Sequence, residues 1–190
     1  AQGNDMESLQ SSTDAVAREI ADRLVDFLVA EEDITMEEAI VANFSKAQVK
    51  VAFAESCTGG NLAGAITLVS GASQIFDCAI VAYENTVKTK VLGVDPQVLE
   101  VYGAVSEQTV IQMAEGVKKI SLADYAVATS GIAGPNGGTA EKPVGTVWIA
   151  VSGKSSTVTK KSEFKNDRKI NIERTIAQAL IMLWKLFKSE

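Results

Sequence analysis

The spacing of hydrophobic residues changes along the chain and divides it into helices and strands. Between residues 12 and 30, apolar side chains recur every three or four positions and predict an amphipathic helix, with one stripe formed by Val16, Ile20, Leu24, Phe27 and Leu28. Residues 49–54 are mostly apolar and predict the first strand. The acidic start and apolar end of residues 31–46 predict either an insertion or a second short helix. Residues 1–11 are polar, so we expect a disordered end or a cloning remnant there.

Strands and helices alternate from residue 49 onward. Helices are predicted over residues 60–69, just after 85, and over 106–122. Further strands are predicted over residues 75–83, 125–129, 145–151 and 156–164, and Gly153 and Lys154 form the turn of a hairpin between the last two. A long amphipathic helix with apolar positions from Ile172 to Phe187 closes the chain. This order predicts one α/β domain over residues 12–190, with three α/β/α layers and a sheet that the hairpin makes mixed.

Composition narrows the class of protein. With 46% hydrophobic and 22% charged residues among 190, the chain is typical of a globular domain that buries a core. No apolar run approaches the ~18 residues of a membrane span, and the polar N-terminus has no secretory signal, so we expect a cytoplasmic protein without membrane contact. A net charge of −6 argues against binding to nucleic acid.

The chain contains no histidine, and this limits the possible chemistry. Serine–histidine and cysteine–histidine catalysis are excluded, so a base must be a lysine, tyrosine, aspartate or glutamate. The two cysteines, Cys57 and Cys78, are too few for a disulfide framework and cannot complete a four-ligand zinc site without histidine. We therefore expect no metal and no cofactor.

The turn between the first strand and the next helix carries two candidate nucleophiles. Ser56 follows the strand, amide groups at the start of the helix could hold an oxyanion, and Gly59 and Gly60 would let a substrate approach the backbone. The alternative is that Ser56 only caps the turn. Cys57 is the rival nucleophile, but no histidine is present to stabilise its thiolate, so a buried structural role is favoured.

A lysine in the second strand-to-helix segment is the candidate base. Lys88 follows the strand end at Tyr83, and a neutral lysine accepts a serine proton when burial lowers its pKa from the usual ~10.4. Lys90 lies on another face of the same helix and could not serve the same site. Taken alone, Lys88 would be a solvated surface residue and Tyr83 a packing residue.

A glycine-rich loop and an arginine are candidate binding groups. Residues 130–139 follow a strand and contain four glycines, a composition typical of anion-binding loops, but the spacing fits neither the Walker nor the dinucleotide-binding motif. The alternative is a flexible connection. Arg168 stands at the start of the last helix, where a guanidinium and exposed amide groups suit a phosphate.

Five segments, taken together and in order, resemble the CinA C-terminal-domain family, whose enzymes are nicotinamide mononucleotide deamidases: residues 54–60, 83–88, 103–106, 130–138 and 142–146. The resemblance extends from about residue 49 to the C-terminus. It implies a stand-alone amidohydrolase that converts the carboxamide of nicotinamide mononucleotide to nicotinate mononucleotide and ammonia, in pyridine nucleotide recycling. Because family members are often dimers, it also implies a homodimer.

The resemblance assigns roles to the matching residues. Ser56 would be the nucleophile, Lys88 the base that accepts its proton, and Tyr83 the third member of the hydrogen-bonded set. Arg168 would bind the phosphate. The remaining substrate contacts would come from the turn after the first strand and from the glycine-rich loop, at Cys57, Thr58, Gly59, Gly60, Ser130, Gly131, Ala133, Gly134, Gly137 and Gly138.

Two features depart from the family pattern, and two other classes of function stay open. Asn166 stands where the family usually has glycine, and residues 31–46 are longer than the expected link. The chain could be a non-catalytic nucleotide-binding regulatory module, although the joint presence of Ser56, Tyr83 and Lys88 argues against this. It could also be an interaction protein that presents its acidic N-terminal helix to a partner.

Overall fold

The N-terminal part of the chain forms one helix. The structure, a computed structural model, describes residues 5–25 and 28–190 in two units, Ala1–Thr35 and Met36–Glu190. In the first unit, helix α1 spans Met6–Arg23, and the Asp5 carboxylate caps it by accepting from two backbone amides of the first turn. The predicted disorder is therefore wrong for residues 6–11. The predicted helix ends earlier than residue 30, and Phe27 lies outside the described residues.

A five-stranded mixed sheet organises the second unit, as the sequence predicts. The strands are β1 (Val51–Glu55), β2 (Phe76–Val81), β3 (Tyr125–Gly131), β4 (Thr146–Ser152) and β5 (Thr157–Glu163). Their order across the sheet is β2-β1-β3-β4-β5. Strand β1 is parallel to β2 and β3, whereas β3, β4 and β5 pair antiparallel. The β4–β5 pair is the predicted hairpin, and its turn begins with a bond from the Gly153 amide to the Ser156 carbonyl.

Six α-helices accompany the sheet in the second unit. They are α2 (Met36–Ala47), α3 (Asn61–Thr67), α4 (Asn85–Lys90), α5 (Pro96–Tyr102), α6 (Glu107–Ser121) and α7 (Arg168–Ser189). Of the two alternatives for residues 31–46, the structure has the helix, because α2 buries four apolar side chains, among them Phe44. Helix α5 was not predicted, although Asp95 caps it and Pro96 occupies its first turn.

The two faces of the sheet are covered by different helices, which gives the predicted three layers. Helix α6 packs its buried Val110, Met113 and Val117 against small alanines of β1, β3 and β4. Helix α7 contacts β3 and β4 and also α2, where the rings of Phe44 and Phe187 lie 4.6 Å apart. Within the described residues, no helix combines the length and the apolar content needed to cross a bilayer.

Candidate active site

The side chains of Ser56 and Lys88 meet where the parallel strands β1 and β2 end. Ser56 directly follows β1, and its amide donates to the Thr129 carbonyl of β3 at 2.9 Å. Lys88 lies on α4, which begins shortly after β2. The Lys88 Nζ atom lies 3.3 Å from Ser56 Oγ, within hydrogen-bond distance. The structure thus brings together the predicted nucleophile and the predicted base.

Lys88 is buried, and its amino group lies within hydrogen-bond distance of three oxygen atoms. Its side chain is 1% exposed, and Nζ also donates to the carbonyls of Ala82 at 2.8 Å and Tyr83 at 3.0 Å. Burial lowers the pKa of Lys88, and the nearby Glu84 charge opposes this shift only in part. Lys90, two residues further on, is exposed. A lysine held in this way is suited to accept a proton from Ser56.

Cys57 directly follows the candidate nucleophile Ser56, but its own thiol has low reactivity. Burial raises the pKa of its thiol to about 12. The thiol therefore stays protonated at neutral pH, and a protonated thiol is a poor nucleophile. Cys57 thus lines the turn with a small apolar side chain, and Ser56 remains the candidate nucleophile with a candidate base beside it.

Glu55 is a site residue to which the sequence assigned no role. It is fully buried, and its carboxylate accepts from the backbone amides of Gly60 at 2.9 Å, Leu62 at 3.1 Å and Ala63 at 2.8 Å. The sequence does contain an indication of this role. Glu55 is the single charged residue in a strand whose other positions are apolar, and a charge in such a place needs partners.

This carboxylate changes where an oxyanion could bind. The expectation that the start of α3 offers free amides is wrong, because Glu55 takes three of them and Asn61 N donates to the Thr58 carbonyl. Within residues 28–190, no oxygen of another residue accepts from the amides of Cys57 or Thr58. These two N–H groups directly follow Ser56; Thr58 is fully buried, and Cys57 is 6% exposed.

The other residues of this turn that were candidate substrate contacts differ in their exposure to solvent. The Thr58 hydroxyl is buried and lies 2.7 Å from that of Thr129, so it ties the turn to β3. Gly59 is exposed, and both Gly59 and Gly60 have positive φ angles, of 62° and 94°. Their glycine identity thus follows from the backbone of the turn itself.

Arg168 and Tyr83 face each other across the site. Arg168 Nη2 donates to the Tyr83 hydroxyl at 3.2 Å, and Nη1 donates to the Gly134 carbonyl at 2.9 Å. Tyr83 contacts Lys88 through its carbonyl, and its hydroxyl does not bond to Ser56 or Lys88 in the described structure. Tyr83 thus joins the Ser56–Lys88 set through its backbone carbonyl, and its hydroxyl accepts from Arg168.

The glycine-rich loop packs mainly against its own chain. A Cβ atom on Gly131 would lie 2.6 Å from a methyl group of Val147, and Cβ atoms on Gly134 and Gly138 would collide with Val144. These glycines permit close approach of the chain to Val144, which precedes β4, and to Val147 within β4. Gly137 is exposed and remains available to a substrate.

Polar side chains anchor the first part of this loop. The Ser130 hydroxyl is buried and donates to the Ala104 carbonyl at 2.8 Å. Asn171, in the first turn of α7, donates to the carbonyls of Ala133 at 3.0 Å and Asn166 at 2.9 Å. Ser130 and Ala133 therefore hold the loop in place, and Asn166 contributes through its backbone. No cluster of acidic or cysteine side chains in the described residues could hold a metal ion.

Comparison with known proteins places this site in a family. The model of the CinA C-terminal domain matches residues 33–187. The chain belongs to the CinA C-terminal domain family. The match includes α2, so this helix is part of the family domain. It also includes Ser56, Lys88 and Arg168.

Relatives and solved structures agree with this family. The chain is 44% identical to a CinA-like protein of Pseudothermotoga lettingae, over 80% of this chain and 38% of that protein. It is 40% identical to a CinA-like protein of Cytophaga hutchinsonii, over 98% of this chain and 44% of that protein. The chain therefore spans less than half the length of these curated relatives.

The solved structures match over most of their own length. The crystal structure of the competence/damage inducible protein CihA from Agrobacterium tumefaciens is 41% identical, with a TM-score of 0.76, over 78% of this chain and 91% of that one. A CinA superfamily protein from Klebsiella pneumoniae 700603 is 31% identical, with a TM-score of 0.79, over 82% and 97%.

Proposed function

We propose that the protein hydrolyses the carboxamide of nicotinamide mononucleotide, giving nicotinate mononucleotide and ammonia. The observation that carries this proposal is the 3.3 Å contact between Ser56 Oγ and the buried Lys88 Nζ. A serine beside a neutral lysine is an activated nucleophile of the kind that amide hydrolysis requires. The choice of substrate is supported by membership of the CinA family and by the resemblance of five sequence segments to its deamidases.

The proposed reaction passes through an acyl-enzyme. Neutral Lys88 takes the proton of the Ser56 hydroxyl while Oγ attacks the carboxamide carbon. The amides of Cys57 and Thr58 stabilise the negative oxygen of the tetrahedral intermediate. Lys88 then returns the proton to the nitrogen, the C–N bond breaks and ammonia leaves. Lys88 next takes a proton from a water molecule that attacks the ester, and it returns this proton to Ser56 Oγ as the ester C–O bond breaks. The acid product loses its proton to solvent and leaves as the carboxylate.

The remainder of the substrate would lie between Arg168 and the exposed part of the glycine-rich loop. The Arg168 guanidinium is oriented by the Tyr83 hydroxyl and the Gly134 carbonyl, and Tyr83 in turn contacts Lys88 through its own carbonyl. A guanidinium held at the start of a helix suits a phosphate dianion. Gly137 is exposed at the tip of the loop and would face the ribose.

One experiment tests the activity and separates it from nucleotide binding alone. The protein is incubated with nicotinamide mononucleotide, and both ammonia and nicotinate mononucleotide are quantified, with Ser56→Ala as the matched control. We expect equal amounts of both products from the parent and none from the variant. Calorimetric binding of nicotinamide mononucleotide without any product would instead support the non-catalytic regulatory module.

A further inference from the structure

We propose that Glu55 is a positioning residue for the Ser56–Lys88 pair: its buried carboxylate fixes the turn that carries the nucleophile. This inference rests on the proposed chemistry of that pair. Glu55 immediately precedes Ser56, so any movement of its backbone moves the nucleophile. Glu55 is the one acidic residue that is fully buried among the residues that the structure describes.

The side chain of Glu55 holds the far end of the turn. One carboxylate oxygen accepts from the amides of Gly60 and Leu62, and the other accepts from that of Ala63. The carboxylate thus joins the last residue of β1 to the first turn of α3 and closes residues 56–59 into a short loop. Three charge-assisted bonds compensate the burial of the charge, and they restrict the loop that must present Ser56 Oγ.

The backbone of Glu55 links the same position to the base. Its carbonyl accepts from the Ala82 amide at 2.7 Å, and the Ala82 carbonyl accepts from Lys88 Nζ at 2.8 Å. Nucleophile and base are therefore held from one residue, by its side chain on one side and by its main chain on the other. A shift of about 1 Å between two reacting groups is enough to cost roughly 100-fold in rate.

The carboxylate is specifically required by this geometry. A glutamine at position 55 would keep one acceptor oxygen, but its NH₂ group would face an amide that also donates. An aspartate would keep the charge but fall short of α3 by one methylene. Both changes should leave the buried sheet in place and loosen the turn.

The test compares Glu55→Gln and Glu55→Asp with the parent, using two readouts. The first is kcat and KM for nicotinamide mononucleotide. The second is the rate at which a fluorophosphonate labels Ser56, a reaction in which Oγ attacks phosphorus, fluoride leaves and Lys88 takes the proton. Asp95→Asn, which alters an exposed carboxylate that accepts from one backbone amide at the start of α5, is the matched control. Circular dichroism identifies the temperature at which each variant is fully folded.

In fully folded protein, we expect Glu55→Gln to lower kcat and the labelling rate by about 10- to 100-fold, with KM within about twofold of the parent. Asp95→Asn should match the parent in both. A purely structural role would lower the melting temperature and leave both rates unchanged, and this result would overturn the proposal. If Glu55→Gln does not fold, the same two rates are compared between Glu55→Asp and the parent, and unchanged rates would again overturn the proposal.

The two readouts separate this inference from the proposed substrate. If the parent is labelled at Ser56 but releases no ammonia from nicotinamide mononucleotide, the substrate is wrong, and slower labelling of the Glu55 variants still supports the positioning role. If the parent is neither labelled nor active, the Ser56–Lys88 pair is not a reactive centre, and both proposals fail.

Discussion

The Arg168 guanidinium donates to the Tyr83 hydroxyl at 3.2 Å, and this contact joins the segment after β2 to the first turn of α7. The same guanidinium holds the Gly134 carbonyl, so the glycine-rich loop is tied to the same point. Tyr83 is more than half exposed, and its hydroxyl faces the proposed phosphate position instead of the reacting groups. We therefore expect the Tyr83 side chain to act in substrate binding, while its carbonyl holds the Lys88 amino group.

Tyr83→Phe should affect binding more than turnover. Loss of one hydrogen bond to a charged group frees Arg168 to rotate, at a cost of about 1 to 2 kcal/mol. We expect KM for nicotinamide mononucleotide to rise by about 5- to 30-fold while kcat stays within about twofold of the parent. Steady-state kinetics check this, and a large fall in kcat at constant KM would show that the hydroxyl acts on the Ser56–Lys88 pair.

Ser56→Ala and Cys57→Ala should have opposite outcomes. Removing the Ser56 hydroxyl deletes the attacking atom and little packing volume, so activity should disappear in a protein that still folds. Cys57→Ala removes a thiol that is protonated at neutral pH and should retain most activity. Ammonia release is the measurement. An inactive Cys57→Ala beside an active Ser56→Ala would establish a cysteine amidase.

Lys88→Arg should be nearly as damaging as removal of the side chain. A guanidinium stays protonated under all conditions that proteins tolerate and cannot accept the serine proton, so we expect a loss of about 10²- to 10⁴-fold in kcat. In the parent, burial lowers the pKa of Lys88, so kcat/KM should rise with pH through a pKa below that of an ordinary lysine. If the arginine variant had near-normal turnover, Lys88 would not be the base and would only bind the substrate through its charge.

Lys88→Met should change how stability depends on pH. The pKa of Lys88 is lower in the folded than in the unfolded chain, so between these two values the unfolded chain binds more protons. The unfolding free energy of the parent relative to Lys88→Met should therefore rise with pH across this window, by up to about 1.4 kcal/mol for each pH unit. Urea unfolding from neutral pH to about pH 10 measures this. Lys90→Met, at an exposed position of the same helix, is the control, and an equal trend there would reject the assignment.

Arg168→Ala should weaken binding through the phosphate. Loss of a charged hydrogen-bonding partner costs about 1.5–3 kcal/mol, equivalent to roughly a 10- to 150-fold increase in KM for nicotinamide mononucleotide. Nicotinamide riboside lacks the phosphate, should be a poor substrate of the parent, and should lose little more in the variant. Comparison of the two substrates isolates the phosphate contribution. Equal losses on both would mean that Arg168 supports the loop through Gly134.

The sequence predicts the Ser56–Lys88 pair because the positions of the two residues after strands agree with the need of a serine for a base. Ser56 and Lys88 each follow a predicted strand, and the carboxyl ends of parallel strands meet at one edge of a sheet. The absence of histidine then made lysine the candidate base for a serine. Sheet type and hairpin followed from periodicity and from the glycine turn in the same way.

Other features depend on contacts between distant segments and could not be predicted from a single chain. The glycine content of the loop predicts ligand contacts, but Gly131, Gly134 and Gly138 accommodate Val144 and Val147, and only the folded chain shows this. The partners of the Glu55 carboxylate lie across a turn whose conformation the sequence does not specify. Helix α5 is short and packs by a few apolar residues, so its periodicity was too brief to detect.

The position of Arg168 at the first turn of α7 has a consequence for biosynthesis. Ser56, Lys88 and the strands that hold them precede it, so a ribosome-bound chain exposes the nucleophile and base segments before the arginine that would hold the phosphate. Chains truncated before α7 would lack both this guanidinium and the Asn171 anchor of the loop. Selective hydrolysis of a phosphorylated substrate would therefore begin only once the last helix has docked.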